Sequence, residues 1–195
     1  MLKSIYVFMF GLLTSLLHSA GAPVYIVGGQ LNNNPDATLW ITDTSGKSPK
    51  TVALGNQLEN SLASSLTGIN NKIFCLGTQT NGSDDKVTLW ITDTSGSAPQ
   101  AVELNDFIFK NEGGSANITS FNNKVFCVGW NDQPVATLLL FDPHTQSQTN
   151  LPLGALTDES RAFAVTNALD KIYCVGYQNN TEYDYATLWI TDASG

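Results

Sequence analysis

The sequence predicts an all-β protein built from four copies of one small antiparallel sheet, and three observations carry that expectation. A nine-residue block recurs as TLWITDTSG at 38–46, TLWITDTSG at 88–96, TLLLFDPHT at 137–145 and TLWITDASG at 187–195, with offsets of 50, 49 and 50. A second block recurs as VYIVGG from Val24, IFCLGT from Ile73, VFCVGW from Val125 and IYCVGY from Ile172, with offsets of 49, 52 and 47. The composition, 42% hydrophobic and 13% charged over 195 residues, suits a packed core and argues against disorder. A period near 50 residues marks an array of supersecondary units that bury themselves by stacking.

Within each unit the residues read as four short strands. The first uses small or polar residues, as in Ser65-Leu66-Thr67, Asn117-Ile118-Thr119 and Ala164-Val165-Thr166, which suits a crowded place beside a central channel. Next comes a hairpin turn, Asn70-Asn71, Asn122-Asn123 or Leu169-Asp170; asparagine tolerates the positive φ that a two-residue turn requires. The second strand, such as Ile73-Phe74-Cys75-Leu76, is apolar on both faces and so predicts burial between two layers. The third, Thr88-Leu89-Trp90-Ile91-Thr92, alternates aliphatic residues with Trp and Thr, and the fourth alternates more openly in Val52 and Leu54, Val102 and Leu104, Leu151 and Leu153. Asp43, Asp93, Asp142 and Asp192 head the turn between third and fourth strands, where a carboxylate accepts backbone N–H bonds; the reading is a turn-fixing role.

A four-stranded sheet that is apolar on both faces is the blade of a β-propeller. The chain here resembles the kelch repeat family, on the strand ending in Gly28-Gly29, on Phe141-Asp142-Pro143 and on the turn-plus-strand Asn70-Asn71-Lys72-Ile73-Phe74. The resemblance spans residues 23–195, in approximate units 23–61, 62–112, 113–159 and 160–195. Gly77, Gly129 and Gly176 keep the first glycine of the pair, with Thr78, Trp130 and Tyr177 in the second place. Trp40, Trp90 and Trp189 lie on the third strand instead of the family's fourth. The pattern gives 3+4+4+3 strands, so both terminal blades are incomplete. The resemblance implies a ring of more than four blades, and so a truncated chain or an arc completed by another copy; a small closed four-blade ring is the competing reading.

Residues 1–20 place Lys3 before an apolar stretch from Ile5 to Leu17 and then Ser19-Ala20-Gly21-Ala22, the layout of a secretory signal peptide cleaved after Ala20. A secreted or periplasmic location is expected. The apolar stretch is short for a bilayer, so no membrane span is expected. Nine basic against 17 acidic residues give net charge −8, and loss of Lys3 makes it −9. Such a surface does not attract phosphate backbones, so nucleic acid is not an expected partner.

The candidates for chemistry are few. Cys75, Cys127 and Cys174 share one position of the second strand, where Ile26 stands in the first unit. They read as buried free thiols, because equivalent positions in adjacent blades lie farther apart than a disulfide allows. With His18 in the leader, His144 is the one remaining imidazole, a turn residue. No metal site and no cofactor is expected. Variable loops between second and third strands, 30–37, 78–86, 130–135 and 177–185, are the expected seat of binding. There Trp130, Asp132, Tyr177, Asn179, Glu182, Tyr183 and Asp184 mix aromatic and polar groups suited to a protein or a sugar. Asn81, Asn117 and Asn179 head glycosylation sequons, with Asn117 on an inner strand the poorest acceptor.

These residues point to an exported, non-catalytic scaffold that binds a protein or glycan through its loops, with self-association through the incomplete terminal blades as a further expectation. Two alternatives stand beside it: a glycan-acting hydrolase using Glu182, Asp184 and Asp132 as paired carboxylates, and a propeller fragment with no independent function. No catalytic residue is assigned.

Overall fold

The computed structural model describes residues 22–31, 35–55, 60–81, 84–108, 117–154, 159–180 and 183–192. The expected signal peptide, 1–20, and Glu182 lie outside the described residues. Among the described residues fourteen strands form four antiparallel sheets. Sheet I holds β1 (Val24–Leu31), β2 (Pro35–Thr42) and β3 (Lys50–Ala53). Sheet II holds β4 (Ser61–Ile69), β5 (Lys72–Asn81), β6 (Asp84–Asp93) and β7 (Gln100–Glu103). Sheet III holds β8 (Ile118–Phe121), β9 (Lys124–Trp130), β10 (Ala136–Asp142) and β11 (Ser147–Pro152). Sheet IV holds β12 (Ser160–Ala168), β13 (Lys171–Asn180) and β14 (Tyr183–Thr191). Within every sheet the strands lie side by side in sequence order, so each sheet is the meander of a propeller blade.

Alternation along the central strands gives each sheet two apolar faces, and the register shows which residues share one. Leu76, Leu89 and Val102 are successive cross-strand partners in sheet II, as are Val27, Leu39 and Val52 in sheet I and Val128, Leu138 and Leu151 in sheet III. This forward face packs on the next sheet. The opposite, rear face carries Cys75 and Trp90 in sheet II, Cys127 and Leu139 in sheet III, and Cys174 and Trp189 in sheet IV. Three clusters result, one in each successive interface. Leu39, Val52 and Leu54 meet Ile73, Cys75 and Trp90. Phe74, Leu76, Leu89 and Ile91 meet Ile118, Cys127, Leu139 and Phe141. Phe126, Val128 and Leu138 meet Val165, Ile172 and Cys174. The expectation that the second strands are buried between layers holds for β5 and β9, whereas β1 and β13 in the terminal sheets are not buried on both faces.

The inner strands adjoin one another through small polar groups. Thr67 Oγ1 donates to Ser120 Oγ at 3.0 Å, and Thr119 Oγ1 donates to Asn167 Oδ1 at 2.9 Å. The inner strands β4 and β12 bulge near the start, between Ala63 and Ser65 and between Ala162 and Ala164. At these bulges the backbone comes so close that Gly77 and Gly176 have no room for a side chain. A Cβ on Gly77 would fall on the carbonyl of Leu62 and 2.8 Å from Ala63 Cα, and Gly176 meets the Arg161 carbonyl in the same way. The two-residue turns take positive φ at Asn70, Asn71, Asn122 and Asn123, and also at Leu169 and Asp170.

Two expectations need correction. The segments read as loops at 30–37, 78–86 and 177–185 are mostly strand: pairing continues from Leu31 to Pro35, from Asn81 to Asp84 and from Asn180 to Tyr183. Their Asn, Asp and Gly content reads as loop, yet an antiparallel ladder pairs the backbone whatever the polarity of the side chains. A closed four-blade ring is also excluded. Leu188 and Ile190 on the forward face of sheet IV are 55% and 56% exposed, whereas their counterparts Leu89 and Ile91 in sheet II are 0% and 7% exposed. The four sheets form an open arc.

Candidate functional site

Around sheets III and IV, at the end where β9 leaves its sheet, three rings come together. Trp130 and Phe163 meet edge to face with centroids 6.4 Å apart, and Phe163 and Tyr177 are tilted at 5.7 Å. The bulge in β12 supplies Phe163, since it lies in the register shift between Ala162 and Ala164. Arg161 places its guanidinium carbon 5.1 Å from the centroid of Trp130 and 6.0 Å from that of Tyr177, an arrangement favoured by the negative ring faces. Its Nη2 donates to Glu159 Oε1 at 2.8 Å, and the Tyr177 hydroxyl donates to the same oxygen at 3.1 Å. Burial, followed by that bond to Glu159, raises the Tyr177 phenol above its ordinary value. The buried Nε of Arg161 finds no hydrogen-bond partner among the described residues.

The candidate residues read from the sequence divide on this geometry. Trp130, Tyr177, Asn179 and Asp184 are brought together. Asn179 and Asp184 are cross-strand partners, with Asn179 Nδ2 donating to Asp184 Oδ1 at 2.9 Å, and the Asn179 amide donates to the Glu159 carbonyl at 2.7 Å. Trp130 is only 5% exposed, so it forms the floor of the cluster. Asp132 stands exposed at the bend of the β9–β10 connection, which Asn131 Oδ1 closes by accepting from the amides of Gln133 and Val135, each at 3.0 Å. Tyr183 is exposed and pairs with Asn180 at the end of the β13–β14 hairpin. Sequence reasoning missed Glu159, Arg161 and Phe163. The available signal was Arg161 itself, a charge in the place that Leu62 holds in the second unit.

The other candidates are structural. Asp93 Oδ1 accepts from the amides of Ser95 at 2.8 Å and Ser97 at 3.0 Å, Asp43 Oδ1 from Ser45 at 2.8 Å, and Asp142 Oδ1 from His144 at 2.8 Å. These bonds hold the carboxyls below their ordinary value, led by the Ser45 and Ser95 hydroxyls for Asp43 and Asp93 and by the His144 amide for Asp142. Cys75, Cys127 and Cys174 are free and buried, and burial pushes the Cys75 and Cys174 thiols up to about 12 and that of Cys127 upward as well. A thiol held protonated is a poor nucleophile and metal ligand. Among the described residues no group of three or more His, Cys, Asp or Glu is placed to hold a metal ion, and no helix is long and apolar enough to cross a membrane.

Comparison with solved structures agrees with this architecture. The chain is similar to the β-propeller domain of the Trilobed protease from Pyrococcus furiosus, a propeller with an open velcro topology, at a TM-score of 0.53 and 13% identity. The fold is a β-propeller. The match covers 89% of this chain and 52% of that one, so this propeller chain spans about half the length of its neighbour. No family model and no curated protein matches the sequence.

Proposed function

We propose that this is an exported, kelch-like propeller scaffold without catalytic activity of its own, and that it binds a protein segment at the Trp130–Phe163–Tyr177 end of blades III and IV. The observation that carries the reading is Arg161, held between two ring faces and against Glu159 at the mouth of this cluster. Arg, Tyr and Trp are the residue types that concentrate binding energy at protein interfaces. A carbohydrate reading is weaker, because a sugar stacks on an open ring face and Trp130 is buried with Arg161 over it. Aromatic groups fixed by packing lose little entropy on binding, which favours them as anchors on a rigid sheet end.

The test is a binding screen of the purified chain against arrayed secreted proteins and their peptides, with a glycan array in parallel. A protein ligand whose affinity falls about tenfold or more in Arg161→Ala and Tyr177→Ala, a loss typical of interface anchors, supports the reading. Glycan binding alone would replace the protein ligand. Turnover of chromogenic glycosides, abolished by Glu182→Gln or Asp184→Asn, would overturn the non-catalytic reading in favour of a hydrolase.

A further inference from the structure

The three internal interfaces are copies of one another, and the arc ends in the two unpaired halves of that same interface. On the forward face of sheet IV, Val175 and Leu188 are cross-strand partners, as are Tyr173 and Ile190. They occupy the register positions of Leu76, Leu89, Phe74 and Ile91, which sheet II buries against sheet III. Val175 is 45% exposed while Leu76 is fully buried. On the rear face of sheet I, Ile26 pairs with Trp40 and Trp40 with Thr51, the positions of Cys75, Trp90 and Ala101 in sheet II. Ile26 and Trp40 are half-buried, whereas Cys75 and Trp90 are fully buried.

We infer that the forward face of blade IV seats the rear face of blade I from a second copy of this chain, so that two arcs close into one propeller. The occupant follows from the repeat. A face shaped to receive the rear of a blade from this array is matched by the rear face that, among the described residues, no other blade covers, which belongs to blade I. The contact is heterologous, joining two different surfaces, and such contacts either close into rings or run on as filaments. Closure by two copies is favoured because one copy aligns with about half of a single propeller chain. The same register predicts a specific bond. Tyr25 on the forward face of sheet I donates its hydroxyl to the Thr94 carbonyl of sheet II at 3.0 Å; its counterpart Tyr173 meets the equivalent carbonyl, that of Thr44, on the second copy. This inference is independent of the ligand site at Arg161.

Sedimentation or light scattering on the purified full chain tests it. The expected species has twice the mass of one chain. Leu188→Lys on the forward face and Ile26→Lys on the rear face each give monomers, and an equimolar mixture of the two restores a 1:1 pair, because each copy brings the intact face that the other lacks. Trp40→Lys, at the position where Trp90 is buried in the internal interface, repeats the rear-face arm, and circular dichroism confirms that each variant remains folded. Tyr173→Phe weakens pairing by about 2–10-fold, the worth of one neutral hydrogen bond. A monomeric wild-type chain overturns the inference. So does a dimer that survives Ile26→Lys and Trp40→Lys, which would pair two forward faces, and so does a mixture that fails to pair.

Discussion

The Ser160 hydroxyl accepts a hydrogen bond at 2.9 Å from the Ala136 amide, so the first residue of β12 in blade IV satisfies a backbone donor of β10 in blade III. Ser61 does the same for the Ala37 amide of blade I, also at 2.9 Å. Gly55 and Gly154 leave room for these hydroxyls, since a Cβ on either would fall on the Ser61 or Ser160 side chain. Both serines are buried. The pair of contacts fixes how far each inner strand reaches along its neighbour, and so sets the height at which Arg161 and Phe163 emerge beside Trp130.

Removing either hydroxyl strands a buried N–H. Ser160→Ala is therefore expected to destabilise the chain by about 1–3 kcal/mol, with the cost local to blades III and IV. Urea denaturation measures it. Ser160→Thr, which keeps the acceptor, separates loss of the bond from loss of the side chain, and a Ser160→Ala variant as stable as wild type would show that water replaces the hydroxyl.

Trp90 and Trp40 stand at the same place in successive units, yet they have different surroundings. Trp90 is fully buried between blades I and II, while Trp40 faces outward from blade I, half-buried. Trp90→Ala should cost about 3–5 kcal/mol, the range for emptying a large core site. Trp40→Ala should cost well under half as much when measured at a dilution where chains do not pair. Equal losses at the two sites would mean that the rear face of blade I is covered within one chain.

Much of this organisation was legible because it repeats. The register of Leu39, Leu89, Leu138 and Leu188 can be read from the nine-residue block alone, and so can the burial of the second strand that carries the cysteines. The repeat also hid things. Tyr177, Asn179 and Asp184 were readable as polar and aromatic residues of a variable segment, but their segment is strand, because hydrogen bonding in a hairpin end is indifferent to side-chain polarity. Phe163 belongs to the site only through a bulge, a backbone irregularity with no composition of its own. Ser61 and Ser160 carry no pattern that distinguishes a serine bonded across an interface from any other small residue at a strand end.

The thiols give an alkaline signature. Cys75 is pushed from 9.0 to about 12 by burial, so the folded chain retains a proton that the unfolded chain releases. Their stabilising effect is complete below the unfolded value and is lost as pH rises above it, at about 1.4 kcal/mol per pH unit for each thiol until the folded value is reached. Stability should fall steeply from pH 9 upward, and the slope should be shallower in Cys75→Ala even though that variant starts lower. Alkylation by iodoacetamide at pH 8 should be slow in the folded chain and fast in urea. Rapid modification of all three thiols without denaturant would place them outside the blade interfaces.

Leu169 offers a gain instead of a loss. It has a φ of 48° at the β12–β13 turn and is 90% exposed, so it bears the left-handed strain of a non-glycine residue and buries almost nothing in return. The equivalent turn positions hold Asn70 and Asn122 at φ of 48° and 47°, and asparagine tolerates that region because its short amide bonds locally to the backbone. Leu169→Asn should therefore stabilise the chain by about 1 kcal/mol, and Leu169→Gly by less, since glycine adds entropy to the unfolded chain. The midpoint of thermal unfolding reads the difference directly. Because the turn joins the inner two strands of blade IV, the gain should appear as slower amide exchange in β12 and β13 and leave blades I and II unchanged. A Leu169→Asn variant no more stable than wild type would mean that the leucine side chain is covered by a contact with another molecule.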